Sequence, residues 1–227
     1  MEKEELTKKS KDIYEIKIII VGKTGVGKTQ ILYRYTRQQF NSTFFATIGT
    51  DFESYTVDLD DKIFKLLFLD TAGQEKFTSI TRGYFKNVAL AIIVYDITDP
   101  DSFKTLEQWY QDCQSYGPKN INMVLVGNKN DLEEKRKISI NEGMDFAEKY
   151  NIVFFETSAK DGTNIDNVFK EICKIINKNI DEGLYDYNDD SCGVKKLESS
   201  EGLEIKKTFC KSELIDDEDK KNKKKCC

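Results

Sequence analysis

Gly22-Lys23-Thr24-Gly25-Val26-Gly27-Lys28-Thr29 fits G-x-x-x-x-G-K-[ST] at every fixed position. Residues 16–21 before it form a strand-like apolar run, and residues 30–38 after it read as a helix. Strand, glycine-rich turn and helix is the context in which this pattern cradles phosphate. The glycines remove side chains, so backbone N–H groups can converge on phosphate oxygens, and the positive end of the helix dipole adds to the attraction. Lys28 brings a full charge to the phosphates, and the Thr29 hydroxyl is a ligand for Mg²⁺.

The 227 residues suffice for one ordinary domain plus a tail. The composition, 39% hydrophobic and 33% charged, is that of a soluble globular protein. A net charge of −5 gives no basic footprint for nucleic acid, so no nucleic-acid partner is expected. The chain has no histidine, which removes Ser–His triads and His-ligated metal sites. Cysteines stand at 113, 173, 192, 210, 226 and 227, with no C-x-x-C pair to suggest zinc or redox chemistry. Cys113 and Cys173 fall in helical patterns and read as buried thiols. Residues 1–12 are charged and unlike a signal peptide, and the longest apolar run, residues 88–95, is too short to span a bilayer. A reducing, cytosolic environment is the expectation.

Read in order, apolar runs at 15–21, 52–57, 63–69, 89–95, 123–126 and 153–156 predict strands. Helices are expected at 30–38, from a Ser102 cap to 116, from an Asn141 cap to 150, and at 165–179. The last carries Ile165, Val168, Phe169, Ile172, Ile175 and Ile176 on one face. Residues 40–49 read as a loop, 73–81 as a mobile polar segment, and 133–137 as an exposed charged loop. Alternating strands and helices predict an α/β domain of three layers with a mostly parallel sheet, whose ligands bind at the carboxyl ends of strands. The expected organisation is an N-terminal extension at 1–13, the domain at 14–180, and a disordered acidic tail at 181–227.

Further candidate chemistry falls at those strand ends. Asp70-Thr71-Ala72-Gly73-Gln74 places a carboxylate where it can support Mg²⁺, a Gly73 N–H able to approach a γ-phosphate, and a Gln74 side chain able to orient water. Asn128-Lys129-Asn130-Asp131 offers a carboxylate to the N1–H and N2 amine of guanine, a donor pair adenine lacks. Ser158-Ala159-Lys160 ends the last strand with small residues whose N–H groups can reach a base carbonyl. Thr47 supplies a hydroxyl for Mg²⁺ and an N–H for γ-phosphate, a pairing that would order its loop only with a triphosphate.

These motifs, in this order, resemble the Ras-type small GTPases and, more narrowly, the Rab family. The Rab-like pieces are Thr47-Ile48-Gly49-Thr50-Asp51-Phe52, Leu69-Asp70-Thr71-Ala72-Gly73-Gln74-Glu75-Lys76-Phe77, Ser79-Ile80-Thr81, Tyr84-Phe85, Val94-Tyr95-Asp96-Ile97-Thr98 and the terminal Cys226-Cys227. The resemblance implies a P-loop GTPase domain with a six-stranded sheet, GTP/GDP and Mg²⁺ as ligands, and GTP hydrolysis. It puts nucleotide contacts on Thr24, Gly25, Val26, Gly27, Lys28, Thr29 and Gln30, on Phe40 stacking the guanine, and on Thr47, Gly73, Asn128, Lys129, Asp131, Ser158, Ala159 and Lys160. Thr29, Thr47 and Asp70 would hold the metal, and Gln74 would act in catalysis. Cys226 and Cys227 would be prenylated beside Lys220, Lys221 and Lys223 to Lys225, anchoring the chain to the cytoplasmic face of intracellular membranes. Exchange factors, GTPase-activating proteins, escort or dissociation-inhibitor proteins and effectors are the implied partners, and vesicle trafficking the implied process. The chain departs from the Rab pattern at Thr24, Thr50, Leu69, Lys76 and residues 84–88, mostly on the partner-binding face. Two rivals share the P-loop: a scaffold that holds GTP without hydrolysing it, against which Gly73 and Gln74 argue, and a P-loop kinase or ATPase, against which Asn128-Lys129-Asn130-Asp131 argues.

Overall fold

In the central strands, odd and even positions are both apolar, so neither face can be left to water. The fold follows from covering both. A computed structural model describes residues 11–42, 50–59, 61–71, 83–198 and 203–209. In chain order the elements are β1 (Asp12–Val21), α1 (Lys28–Arg37), β2 (Thr50–Leu59), β3 (Lys62–Thr71), β4 (Leu90–Asp96), α2 (Pro100–Lys104), α3 (Leu106–Tyr116), β5 (Asn122–Asn128), α4 (Ile140–Tyr150), β6 (Val153–Thr157), α5 (Ile165–Asp181), β7 (Val194–Leu197) and β8 (Lys207–Phe209). The sheet runs β6-β5-β4-β1-β3-β2-β8, with β7 on β1. The β2–β3 and β1–β7 pairs are antiparallel, and the other pairs are parallel.

Alternate residues of the same strands serve two separate cores. Ile18, Ile20, Ile92, Val94, Val124 and Val126 pack with α1 and α5, where Tyr35 and Phe169 stack at 3.8 Å between ring centroids. Ile19, Val21, Ile93, Tyr95, Met123 and Leu125 pack on the other face with Leu106, Cys113 and Ala147 of α3 and α4. The three-layer α/β reading therefore holds. Of the six α5 residues expected on one face, five are fully buried and Ile175 is partly so. Cys113 and Cys173 are buried free thiols, and burial pushes the Cys173 thiol up to about 12.

Several local expectations give way to tertiary structure. Asp99, not Ser102, caps the first turn of α2 by accepting from the Asp101 N–H at 3.0 Å, while Ser102 is buried with its hydroxyl donating to Asp99 O at 2.7 Å. The helix expected as one piece breaks at Thr105 into α2 and α3. Ser139, not Asn141, starts α4 through a capping box with Glu142. The charged run 133–137 is not simply solvated: Arg136 bridges Glu133 and Glu156, with Nη1 to Glu156 Oε1 at 2.6 Å. The largest departure is at the C-terminal side. Residues 194–197 and 207–209, expected to be disordered, are strands, and they raise the sheet from six strands to eight. Hydropathy could not show them, because each is three or four residues long and is defined by pairing with a distant edge.

Candidate functional site

The carboxyl ends of β1, β3, β5 and β6 meet around the glycine-rich turn between β1 and α1. Gly22 (φ +141°) and Gly27 (φ +100°) occupy backbone conformations that L side chains rarely adopt. A Cβ at Gly22 would stand 2.2 Å from Val94 O, and one at Gly27 would stand 2.4 Å from Asn128 Nδ2. Both glycines are thus required by close approach as well as by φ. Gly27 caps α1 with no side chain to accept from the first turn, the arrangement in which helix N-termini bind phosphate. Lys28 is buried and donates from Nζ to Gly22 O at 2.9 Å and Lys23 O at 3.1 Å, so its charge lies inside the turn. The Thr29 hydroxyl, in the first turn of α1, donates to the Asp70 carboxylate near the end of β3, and both groups are buried. A hydroxyl and a carboxylate held together are hard oxygen ligands of the type Mg²⁺ takes beside phosphates. These residues fit the expected metal and phosphate roles.

Asn128 is the hub of the second half. Its side chain is 1% exposed. Its Nδ2 donates to Val26 O at 2.8 Å, and its Oδ1 accepts from the Ala159 N–H and the Thr157 hydroxyl, each at 3.2 Å. One amide thereby fastens the phosphate turn to the ends of β5 and β6. Lys129, in the left-handed region at φ +70°, donates from Nζ to Gly25 O at 2.8 Å and pairs with Asp96 Oδ2 at 2.7 Å. Asp131 Oδ1 accepts from the Ser158 hydroxyl at 2.8 Å, and Lys160 Nζ lies 3.6 Å from Oδ2. The carboxylate expected to read the base is thus aimed from both the β5 and β6 ends. The sequence model of the Ras family matches residues 17–178.

The chain belongs to the Ras family. Ras-family domains are small GTPase switches that bind guanine nucleotides. Within it, Gln30 is buried and accepts from the Asn41 N–H at 2.9 Å, drawing the segment after α1 back toward the helix start. Phe40 stands 39% exposed beside that contact, just past the left-handed Gln38 that ends α1. Thr24 and Gly25 lie exposed on the turn, and Val26 is buried beneath it. Thr47, Gly73 and Gln74 lie outside the described residues, as do Cys226 and Cys227.

Three residues the sequence reading left without a role support this Ras-family site. Asp96 holds Lys129, and its own Oδ1 accepts from the Thr98 N–H at 2.8 Å. Arg34 donates from Nε to Ala159 O at 2.7 Å and also reaches Lys160 O, so α1 braces the β6 end. Thr157 contributes the hydroxyl on Asn128. Asp96 carried a usable signal, a carboxylate at a strand end like Asp70; Arg34 carried none. Lys23 pairs with Asp99 at 3.0 Å, and against the cost of partial burial this ammonium holds the Asp99 carboxyl below the usual carboxylate range. Leu69, expected on a partner-facing patch, is 8% exposed and belongs to the core beside Phe85 and Ile19, whereas Phe52 stands 68% exposed.

Proposed function

We propose that this chain is a Rab-like switch in vesicle trafficking that binds GTP and GDP, hydrolyses GTP slowly by itself, and cycles between cytosol and the cytoplasmic face of an intracellular membrane. The single observation that carries the switch reading is the Asn128 bridge, which joins the phosphate turn to the base-reading loops in one site. Lys28 and the backbone of the turn bind and orient the phosphates. Thr29, Thr47 and Asp70 would hold Mg²⁺, which when bound neutralises charge on the β- and γ-phosphates. Gln74 orients the attacking water and Asp131 selects guanine. Ras itself turns over on the order of 10⁻⁴ per second unaided and about 10⁵-fold faster with an activating protein, the regime proposed here.

The trafficking part rests on the Rab-like stretches and on Cys226-Cys227 at the end of a lysine run. One lipid chain anchors only marginally, at about 0.8 kcal/mol per buried CH₂, so two chains, or one chain plus lysines worth about 1 kcal/mol each, make a stable anchor. Replacing both cysteines by serine should shift the full-length protein from membranes to cytosol with GTP affinity unchanged. Persistent membrane pelleting of that variant would refute the lipid anchor. Gln74→Leu should slow intrinsic hydrolysis and leave binding intact; equal rates would remove Gln74 from the mechanism, whereas no single-turnover hydrolysis by the wild type would favour the scaffold.

A further inference from the structure

The β2 edge is covered by a segment of the chain that the Ras-family match, ending at 178, does not include. Residues 207–209 pair parallel with 57–59, and just before them the Lys206 N–H donates to Thr56 O at 2.9 Å. Phe209 is 5% exposed and joins the core cluster that contains Tyr35, Val57, Leu59 and Phe169. Lys207 sends its ammonium to Asp166 Oδ1 at 2.6 Å, and the same nitrogen lies 5.4 Å from the Tyr35 ring centroid. The recognition elements are therefore an extended backbone, one cation and, two residues on, one aromatic ring. That is the composition of a peptide bound by strand addition, in which main-chain bonds hold the segment and alternate side chains fill pockets.

We infer that the β2 edge, together with α1 and α5, is a peptide-strand site for an extended basic-x-aromatic segment, filled here in cis by residues 203–209 and open to exchange. The contact is short: three paired residues, one buried ring and one ion pair. Short, locally held segments open without global unfolding. On the proposed lipid-anchor reading, docking would leave 16 residues, 210–225, before the terminal cysteines instead of the 28, 198–225, that follow β7, so the site would set how far the domain can stand from its anchor. The strand site does not depend on that reading.

Amide hydrogen exchange on the full-length chain tests the site. Residues 203–209 should exchange about tenfold or more slowly than in the synthetic 203–209 peptide, yet clearly faster than β1 and β4. Asp166→Lys or Lys207→Glu should remove that protection, the double variant Asp166→Lys with Lys207→Asp should restore it, and protection of β1 and β4 should stay constant throughout. Excess synthetic 203–209 peptide should speed exchange of the chain's own 203–209, and the same peptide with Phe209→Ala should not. Free-peptide exchange rates in the wild type would show that the segment does not dock. Protection equal to that of β1 would show an integral strand rather than an exchangeable ligand. Either result overturns the inference, as does a charge swap that restores nothing.

Discussion

The nucleotide end of the sheet and its C-terminal covering are built by different physics. At the nucleotide end, strand termini carry glycines and polar side chains held by buried hydrogen bonds; Asn128 alone makes three. At the covering strands, backbone pairing on exposed edges is supplemented by single buried side chains, Val194 on β1 and Phe209 on β2. β7 takes the half of the β1 edge that β4 leaves open: β4 pairs with 18–21 and β7 with 13–16. Buried polar networks are costly to leave half-made, whereas an edge strand that detaches returns its backbone groups to water. The first region should therefore respond to substitution steeply and as a unit, the second shallowly and locally.

The steepest expected response is in base choice. Asp131→Asn should exchange guanine for xanthine preference, moving the GTP-to-XTP affinity ratio by roughly 10⁴-fold, the scale for a site built around a specific donor pair. Competition binding with both nucleotides reads this directly, and a retained GTP preference would remove Asp131 from base recognition. Next is Gly22→Ala, which adds both left-handed strain and a Cβ 2.2 Å from Val94 O. A loss of about 3 kcal/mol or more in denaturant-unfolding stability is expected. A loss below 1 kcal/mol would mean that the turn adapts, contrary to the rigidity assigned to this end.

Phe209→Ala should cost less than an ordinary core Phe→Ala, about 1–2 kcal/mol against ~3–5, because the loss is capped by the free energy that docks one short strand. The same denaturant curves measure it, and a cost matching the core value would erase the contrast between the two regions. The smallest effect belongs to the half-exposed pair of Lys196 with Asp12 at 3.0 Å. Lys196→Ala should change stability by less than about 0.5 kcal/mol, with little salt dependence. A larger, salt-sensitive loss would show that β7 is held electrostatically rather than by pairing and Val194.

The sequence determined the layered α/β fold and most of the site. Runs such as 90–96 and 123–128 are apolar at both odd and even positions, which only a doubly covered strand explains, and the G-x-x-x-x-G-K-[ST] turn marks its own chemistry at a strand end. Asp70, Asn128 and Ser158 were legible because each comes at the end of a strand-like run, and strand ends are where an open α/β sheet binds. Tertiary structure alone decided the rest. That Asn128 would fasten Val26 to Ala159, that Arg34 would brace the β6 end, and that Leu69 would turn into the core depend on contacts between residues distant in the chain, which local composition does not encode. β7 and β8 are the clearest case: their residues are polar and aperiodic, and what makes them strands is not their own pattern but the donors and acceptors that β1 and β2 leave unpaired at their edges.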